Sequence, residues 1–113
     1  MIYKRVKKNA DFQRIFSRGK RGFSSRVTLL YLPAERFSMG VCVSKKHGNA
    51  VKRNRVKRIL REIFRLHEGE IKKNYSFLLI PKAAETYDFH ELEKDFLYIL
   101  RKNALLEEKG EEK

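Results

Sequence analysis

The stretch from Lys45 to Leu66 constrains the fold most, because it reads as a helix with two incompatible sides. Val56, Ile59, Leu60, Ile63 and Leu66 recur at intervals of three and four, which places an apolar stripe along one side that must be buried. At 100° per residue, Asn54, Lys57, Arg58, Arg61 and Arg65 project from the opposite side, with Arg53 and Arg55 on the flanks. Lys45, Lys46 and Lys52 precede or open the helix, so the stretch carries nine cations against one acid, Glu62. A chain built around this segment needs a hydrophobic layer beneath it and something other than protein above it.

The position of the cations is as informative as their number. Gly48-Asn49 signals the helix start, with Asn49 as N-cap. That end of a helix carries partial positive charge, so each cation there is unfavourable by roughly 0.3–1 kcal/mol. Repulsion among Lys52, Arg53, Arg55 and Lys57 adds to the cost. A sequence selected for stability alone would place Asp or Glu there. A locally broken rule without a local gain marks a site, and a polyanion would relieve the strain.

The whole 113-residue chain suggests one domain, with a charged, disordered tail over residues 107–113 and a basic N-terminal arm over residues 1–8. Residues 1–26 repeat the ratio of nine basic residues to one acidic, while 27–44 balance, which suggests one basic face assembled from two segments. A short helix is punctuated by Asn9 as cap, Asp11 in its first turn and Gly19 at its close. Phe12, Ile15 and Phe16 share its face; Ile15 reads as core, and the two phenylalanines read either as core or as stacking platforms for bases. Residues Arg26–Pro33 read as a strand with Val27, Leu29 and Tyr31 on one face and Thr28, Leu30 and Leu32 on the other. Residues Phe37–Ser44 alternate large (Phe37, Met39, Val41, Val43) with small (Ser38, Gly40, Cys42, Ser44), so a helix or ligand can approach the small face closely. The two strands are expected to pair as an antiparallel hairpin. Tyr75–Ile80, apolar throughout except for Ser76, reads as an interior strand. The last helix starts at Asp88, with Glu91 completing a capping box and Phe89, Leu92, Phe96, Ile99 and Leu100 as its stripe. The order is helix, two strands, helix, strand, helix: an α+β sandwich with a basic side.

Catalytic chemistry is poorly supported. His47, His67 and His90 lie in separate segments and never at metal-ligand spacing, so each reads as a surface residue, with His47 close enough to the helix start to touch a phosphate. Cys42 reads as a small core residue, and with one cysteine no disulfide forms within the chain. The basic N-terminus leads into no apolar stretch and no 18-residue apolar run occurs, so the expectation is a cytoplasmic chain without membrane attachment. No carboxylate pair or glycine-rich phosphate loop stands out. Binding is favoured over catalysis. A helix-turn-helix DNA reader needs a second helix within a few residues; here the basic helix lies between strands, which favours recognition of RNA backbone.

Val43-Ser44-Lys45-Lys46-His47-Gly48-Asn49-Ala50-Val51-Lys52-Arg53-Asn54-Arg55-Val56-Lys57-Arg58-Ile59-Leu60-Arg61-Glu62 closely resembles the signature of the bacterial ribonuclease P protein component family. Asp11-Phe12-Gln13-Arg14-Ile15-Phe16 followed by Gly19 resembles its N-terminal helix. The resemblance implies an αβββαβα-type α+β sandwich like the second domain of ribosomal protein S5, with a left-handed βαβ crossover. It implies a protein subunit, one per RNA, that binds the catalytic RNA of the ribonucleoprotein endonuclease, ribonuclease P. That particle removes the 5′ leader from precursor tRNA, and the RNA with its bound Mg2+ performs the hydrolysis. Residues implied to contact RNA are Lys45, Lys46, Arg53, Asn54, Arg55, Lys57, Arg58 and Arg61, to which the reading of the basic helix adds Lys52 and Arg65; those implied to line a cleft for the single-stranded leader are Phe12, Phe16 and Tyr31. No residue is assigned a catalytic or metal-ligating role. His47 departs from the pattern, which has an apolar residue there. The competing readings are a ribosomal or RNA-chaperone protein that binds structured RNA without cleavage, and a protein-only nuclease.

Overall fold

The computed structural model describes residues 2–107. Its elements are β1 (Lys4–Arg5), α1 (Asn9–Arg18), β2 (Lys20–Phe23), β3 (Val27–Pro33), β4 (Ser38–Val41), α2 (Ala50–His67), β5 (Tyr75–Pro81) and α3 (Phe89–Lys102). The strands form one mixed sheet in the order β1-β4-β5-β3-β2. From β2 to α3 this is three strands, helix, strand, helix, and α1 precedes them.

The expected β3–β4 hairpin does not form. The two run in opposite directions but β5 lies between them, antiparallel to β3 and parallel to β4. The reason is hydrophobic. Phe77 and Leu79 point to one side of β5 and Leu78 to the other, all fully buried, so this strand needs cover on both faces and neighbours on both edges. The link after β3 crosses the end of β5, where the Ala34 N–H donates to Asn74 O at 3.0 Å.

Two layers of unequal size cover the sheet. On one face, α2 and α3 pack over Val27, Leu29, Tyr31, Met39, Phe77 and Leu79. The α2 contribution is Val56, Leu60, Ile63 and Phe64; Leu66, expected in the stripe, is half exposed, because the helix presents Phe64 instead to Phe37, Phe77 and Phe96. On the other face, α1 sets Ile15 against Leu30 and Leu78. Its Phe12 ring comes so close to Gly40 that a Cβ there would stand 3.0 Å from the ring edge. The small face of β4 is thus explained by a packed helix.

Local expectations fail where pairing, not pattern, makes the element. The N-terminal residues are no free arm: Lys4–Arg5 pair parallel with Ser38–Met39, and Glu68 Oε1 accepts the Ile2 N–H at 2.7 Å. The cap position of α1 is Lys8 without a side-chain bond, and Asn9 is already helical. At α3, Asp88 Oδ2 accepts the Glu91 N–H at 3.0 Å, but the Glu91 carboxylate faces Arg26 Nε at 3.3 Å instead of closing the box. Of the tail expected over 107–113, residues 108–113 lie outside the described residues; Glu107 is tied down, its N–H donating to Glu70 O at 2.7 Å. Among the described residues, no helix is long and apolar enough to cross a membrane.

Candidate nucleic-acid interface

The start of α2 is built by three short devices. Gly48 has φ 112°, a backbone conformation that L side chains rarely adopt, and the Lys52 stem folds against it. Asn49 Oδ1 accepts the Lys52 N–H at 2.9 Å, as expected of the cap. His47, expected on the surface, is only 2% exposed. Its Nδ1 accepts the Ser44 N–H at 2.9 Å and its Nε2 lies 2.6 Å from Pro81 O, which fixes a neutral ring with the proton on Nε2. The ring therefore braces the turn Lys45–His47 against the end of β5 and is unavailable to a phosphate.

From this base α2 projects its cations without relief. Its first turn holds no acidic residue. Among the described residues, Arg65 alone of the sequence-assigned cations makes an ion pair, with Glu62, whose carboxylate is held below its ordinary pKa by that hydrogen bond. Lys45, Lys46, Asn54, Arg55 and Arg58 are exposed; Lys52, Arg53, Lys57 and Arg61 are partly covered. Asn54 and Arg58 form a ridge between two grooves. One, of about 730 Å³, runs between α2 and the approach to α3 and is lined by Val51, Arg55, Ile59, Tyr87 and Phe89. The other, of about 510 Å³, lies between α2 and β1 and is lined by Tyr3, Arg5, Lys57, Arg61 and Arg65. Arg53 lines neither groove. Tyr3 and Arg5 were missed by the sequence reading, because a two-residue strand leaves no periodic signal.

The second proposed site is only partly assembled. Phe12 and Phe16 stand together on α1, with Phe16 38% exposed. Tyr31 is not with them. It points to the opposite face of the sheet, where its hydroxyl donates to Asn103 Oδ1 at 3.1 Å and its ring meets Tyr75 edge-on. The β3 residue that faces α1 is its neighbour Leu30; a one-residue step along a strand changes face. Across the sheet from β2 inward, Phe23, Thr28 and Ile80 are successive cross-strand partners on the α1 side, and Cys42 continues the row beside Ile80. This row is open to solvent at Phe23, which is 60% exposed. Burial raises the pKa of the partly buried Cys42 thiol, which favours its protonated form. Phe23 could have been noticed in the sequence as an aromatic two residues beyond Arg21, but its face depends on a β2 pairing that no pattern announces.

Among the described residues no group of three or more His, Cys, Asp or Glu could hold a metal ion. His67 lies between two carboxylates, Glu93 at 2.7 Å and Glu70 at 3.7 Å, and His90 is exposed.

The fold and its surface define a small α+β protein that presents a cationic helix with a single ion-paired arginine among the described residues on one side and an apolar, aromatic-edged trough on the other. Comparison with known proteins narrows this class. Residues 3–104 match the family model described as Ribonuclease P. The ribonuclease P protein component of Listeria innocua is 41% identical over 110 residues, covering 93% of this chain and 92% of that protein. Among solved structures, the RNase P protein of Thermotoga maritima superimposes with a TM-score of 0.78 at 30% identity, covering 88% of this chain and 96% of that one. A mutant of the Staphylococcus aureus RNase P protein gives 0.79 at 31% identity, covering 89% and 88%. The chain belongs to the ribonuclease P protein component family.

Proposed function

We propose that this chain is the protein subunit of the ribonucleoprotein endonuclease that removes the 5′ leader from precursor tRNA, and that it acts in the cytoplasm with one copy per catalytic RNA. The turn residues Lys45 and Lys46 and the α2 face, through Lys52, Arg53, Asn54, Arg55, Lys57, Arg58, Arg61 and Arg65, bind the catalytic RNA. The trough beside α1, through Phe12 and Phe16, receives the single-stranded leader. The observation that carries the reading is the opening of α2, whose first turn holds no acidic residue and whose cations, Arg65 excepted, have no ion-pair partner among the described residues, in a chain of this family: cations placed against the helix dipole lose stability until a polyanion arrives.

The protein's share of the reaction is binding and placement. Guanidinium forks suit phosphate oxygens in pairs, which fixes orientation without reading sequence. Exposed phenylalanine rings suit unstacked bases of any identity. Magnesium enters as the ion of the RNA and substrate and supplies the Lewis acid for phosphodiester hydrolysis. The described side chains offer no donor cluster for it, and no step assigned to this chain runs through a metal.

The test assays precursor tRNA cleavage by the protein alone, the catalytic RNA alone, and both together at low magnesium. Enhancement only in the mixture is expected; cleavage by protein alone, or no enhancement, refutes the proposal. If about five phosphates meet α2, log affinity for the RNA falls with log salt at a slope of roughly −3.5 to −4.5, and replacing Arg53 and Arg58 with Ala flattens it. An unchanged slope would remove α2 as the RNA face.

A further inference from the structure

The groove between β1 and α2 contains a donor that folding leaves unused. Tyr3 is 3% exposed, its ring set edge-on to Phe64 at 4.9 Å and to Phe37 at 6.4 Å. Among the described residues its hydroxyl has no hydrogen-bond partner, although buried hydroxyls nearly always have one. Tyr3 lines the groove together with Arg5, Arg61, Glu62 and Arg65. Burial and the nearby Glu68 carboxylate raise its pKa against the opposing pull of the three arginines, so the hydroxyl remains a proton donor at neutral pH.

Two of these cations, Arg5 and Arg61, also have no ion-pair partner among the described residues. Arg61 is partly covered and lines the groove together with Arg5; burial, and then the nearby Arg5 charge, lower its pKa. The acids within reach are committed elsewhere. Glu62 is bound by Arg65, and Glu68 Oε1 accepts the backbone N–H groups of Ile2 and Tyr3 at 2.7 and 3.4 Å. Those bonds, with the Lys4 N–H donating to Phe37 O at 2.9 Å and the Val6 N–H to Met39 O at 3.0 Å, hold β1 in place. The groove, about 510 Å³, admits a phosphate with its adjoining sugars.

We propose that this groove is a pocket for one backbone phosphate of the RNA subunit, with Tyr3 Oη as neutral donor and the Arg5 and Arg61 guanidiniums as charged donors. The proposal rests on the functional reading above for the source of the phosphate, and adds to it a binding element outside α2. A phosphodiester supplies what the groove lacks: an acceptor for the hydroxyl and a negative charge between two cations.

The experiment uses the full chain, its Tyr3→Phe variant, which keeps the packed ring, and Arg5→Gln. Inorganic sulfate is titrated while the side-chain Nε–H resonances of Arg5 and Arg61 are followed by NMR. Affinity for the catalytic RNA is then measured across a salt series. Sulfate is expected to shift both arginines, and Tyr3→Phe to weaken its binding on the order of tenfold with the melting temperature unchanged. Tyr3→Phe should weaken RNA binding at an unchanged salt slope, because the lost donor is neutral. Arg5→Gln should weaken binding and flatten the slope by about 0.7–0.9. Equal sulfate affinity in wild type and Tyr3→Phe, or RNA affinity unaffected in both variants, overturns the pocket alone. Failure of the wild-type chain to bind the catalytic RNA overturns the functional reading with it.

Discussion

Reversing one charge at the start of α2 should make the protein more stable and worse at its task. Lys52 is the third residue of the helix; its N–H is bonded to the Asn49 cap, and its charge sits at the positive end of the dipole. Replacing Lys52 with Glu removes an unfavourable term of about 0.3–1 kcal/mol and adds a favourable one of about the same size. The repulsion from Arg55, three residues on, becomes an attraction worth about 0.2–0.5 kcal/mol. Against this, the shorter side chain gives up part of the packing of the lysine stem on Gly48. The net expectation is about 1–2 kcal/mol at low ionic strength. A chain of this length then melts about 4–8 °C higher. Lys52→Gln should show about half the gain, and 1 M salt, with a Debye length of about 3 Å, should erase most of it. Catalytic-RNA affinity should fall in the same variant, with a salt slope shallower by about 0.7–0.9. Calorimetry and a binding titration in matched buffers measure both. If Lys52→Glu lowers the melting temperature at low salt, or leaves RNA affinity intact, the claim that these cations are held at a cost to stability for the sake of a polyanion is wrong.

The aromatic trough gives a directional set. Phe16→Ala and Phe23→Ala should each weaken leader-bearing precursor by on the order of 1–3 kcal/mol without affecting mature tRNA, whereas Tyr31→Phe should leave leader binding unchanged and cost only stability through the bond to Asn103. A leader effect at Tyr31 with none at Phe23 would reverse the assignment of faces. Gly48→Ala, forced to a φ of 112°, should destabilise the fold by about 1–3 kcal/mol in chemical denaturation; a smaller loss would mean that the turn into α2 relaxes.

Periodicity made α2, α3 and the interior strand legible, because each carries its burial pattern within its own residues. Lys20–Phe23 and Lys4–Arg5 could not be read that way. They are strands only because β3 and β4 offer edges to them, and their side chains are charged, small or exposed. The hairpin expectation failed for a related reason: adjacency in the chain favours pairing β3 with β4, yet the apolar demand of β5 outweighs it. The α2 cations were found as a set because one helix carries them all. The trough was not, since its members come from α1, three strands and the residue that follows β4, and placing Tyr31 in it requires a register that the residue's own alternation contradicts. His47 misled because a histidine beside two lysines reads as surface until both ring nitrogens are seen to be taken by backbone groups.

The insertion of β5 between β3 and β4 has a consequence for the order in which the chain is made. During synthesis from the N-terminus, everything up to residue 74 emerges before the strand that must join the two halves of the sheet. Until Tyr75–Pro81 arrives, β3 and β4 have no central partner, and α2 has only part of the surface its apolar side needs. The nascent chain thus carries its full cationic segment into the cell before it can close a core. Its folding waits on contacts of long sequence separation, the kind that form late and slowly.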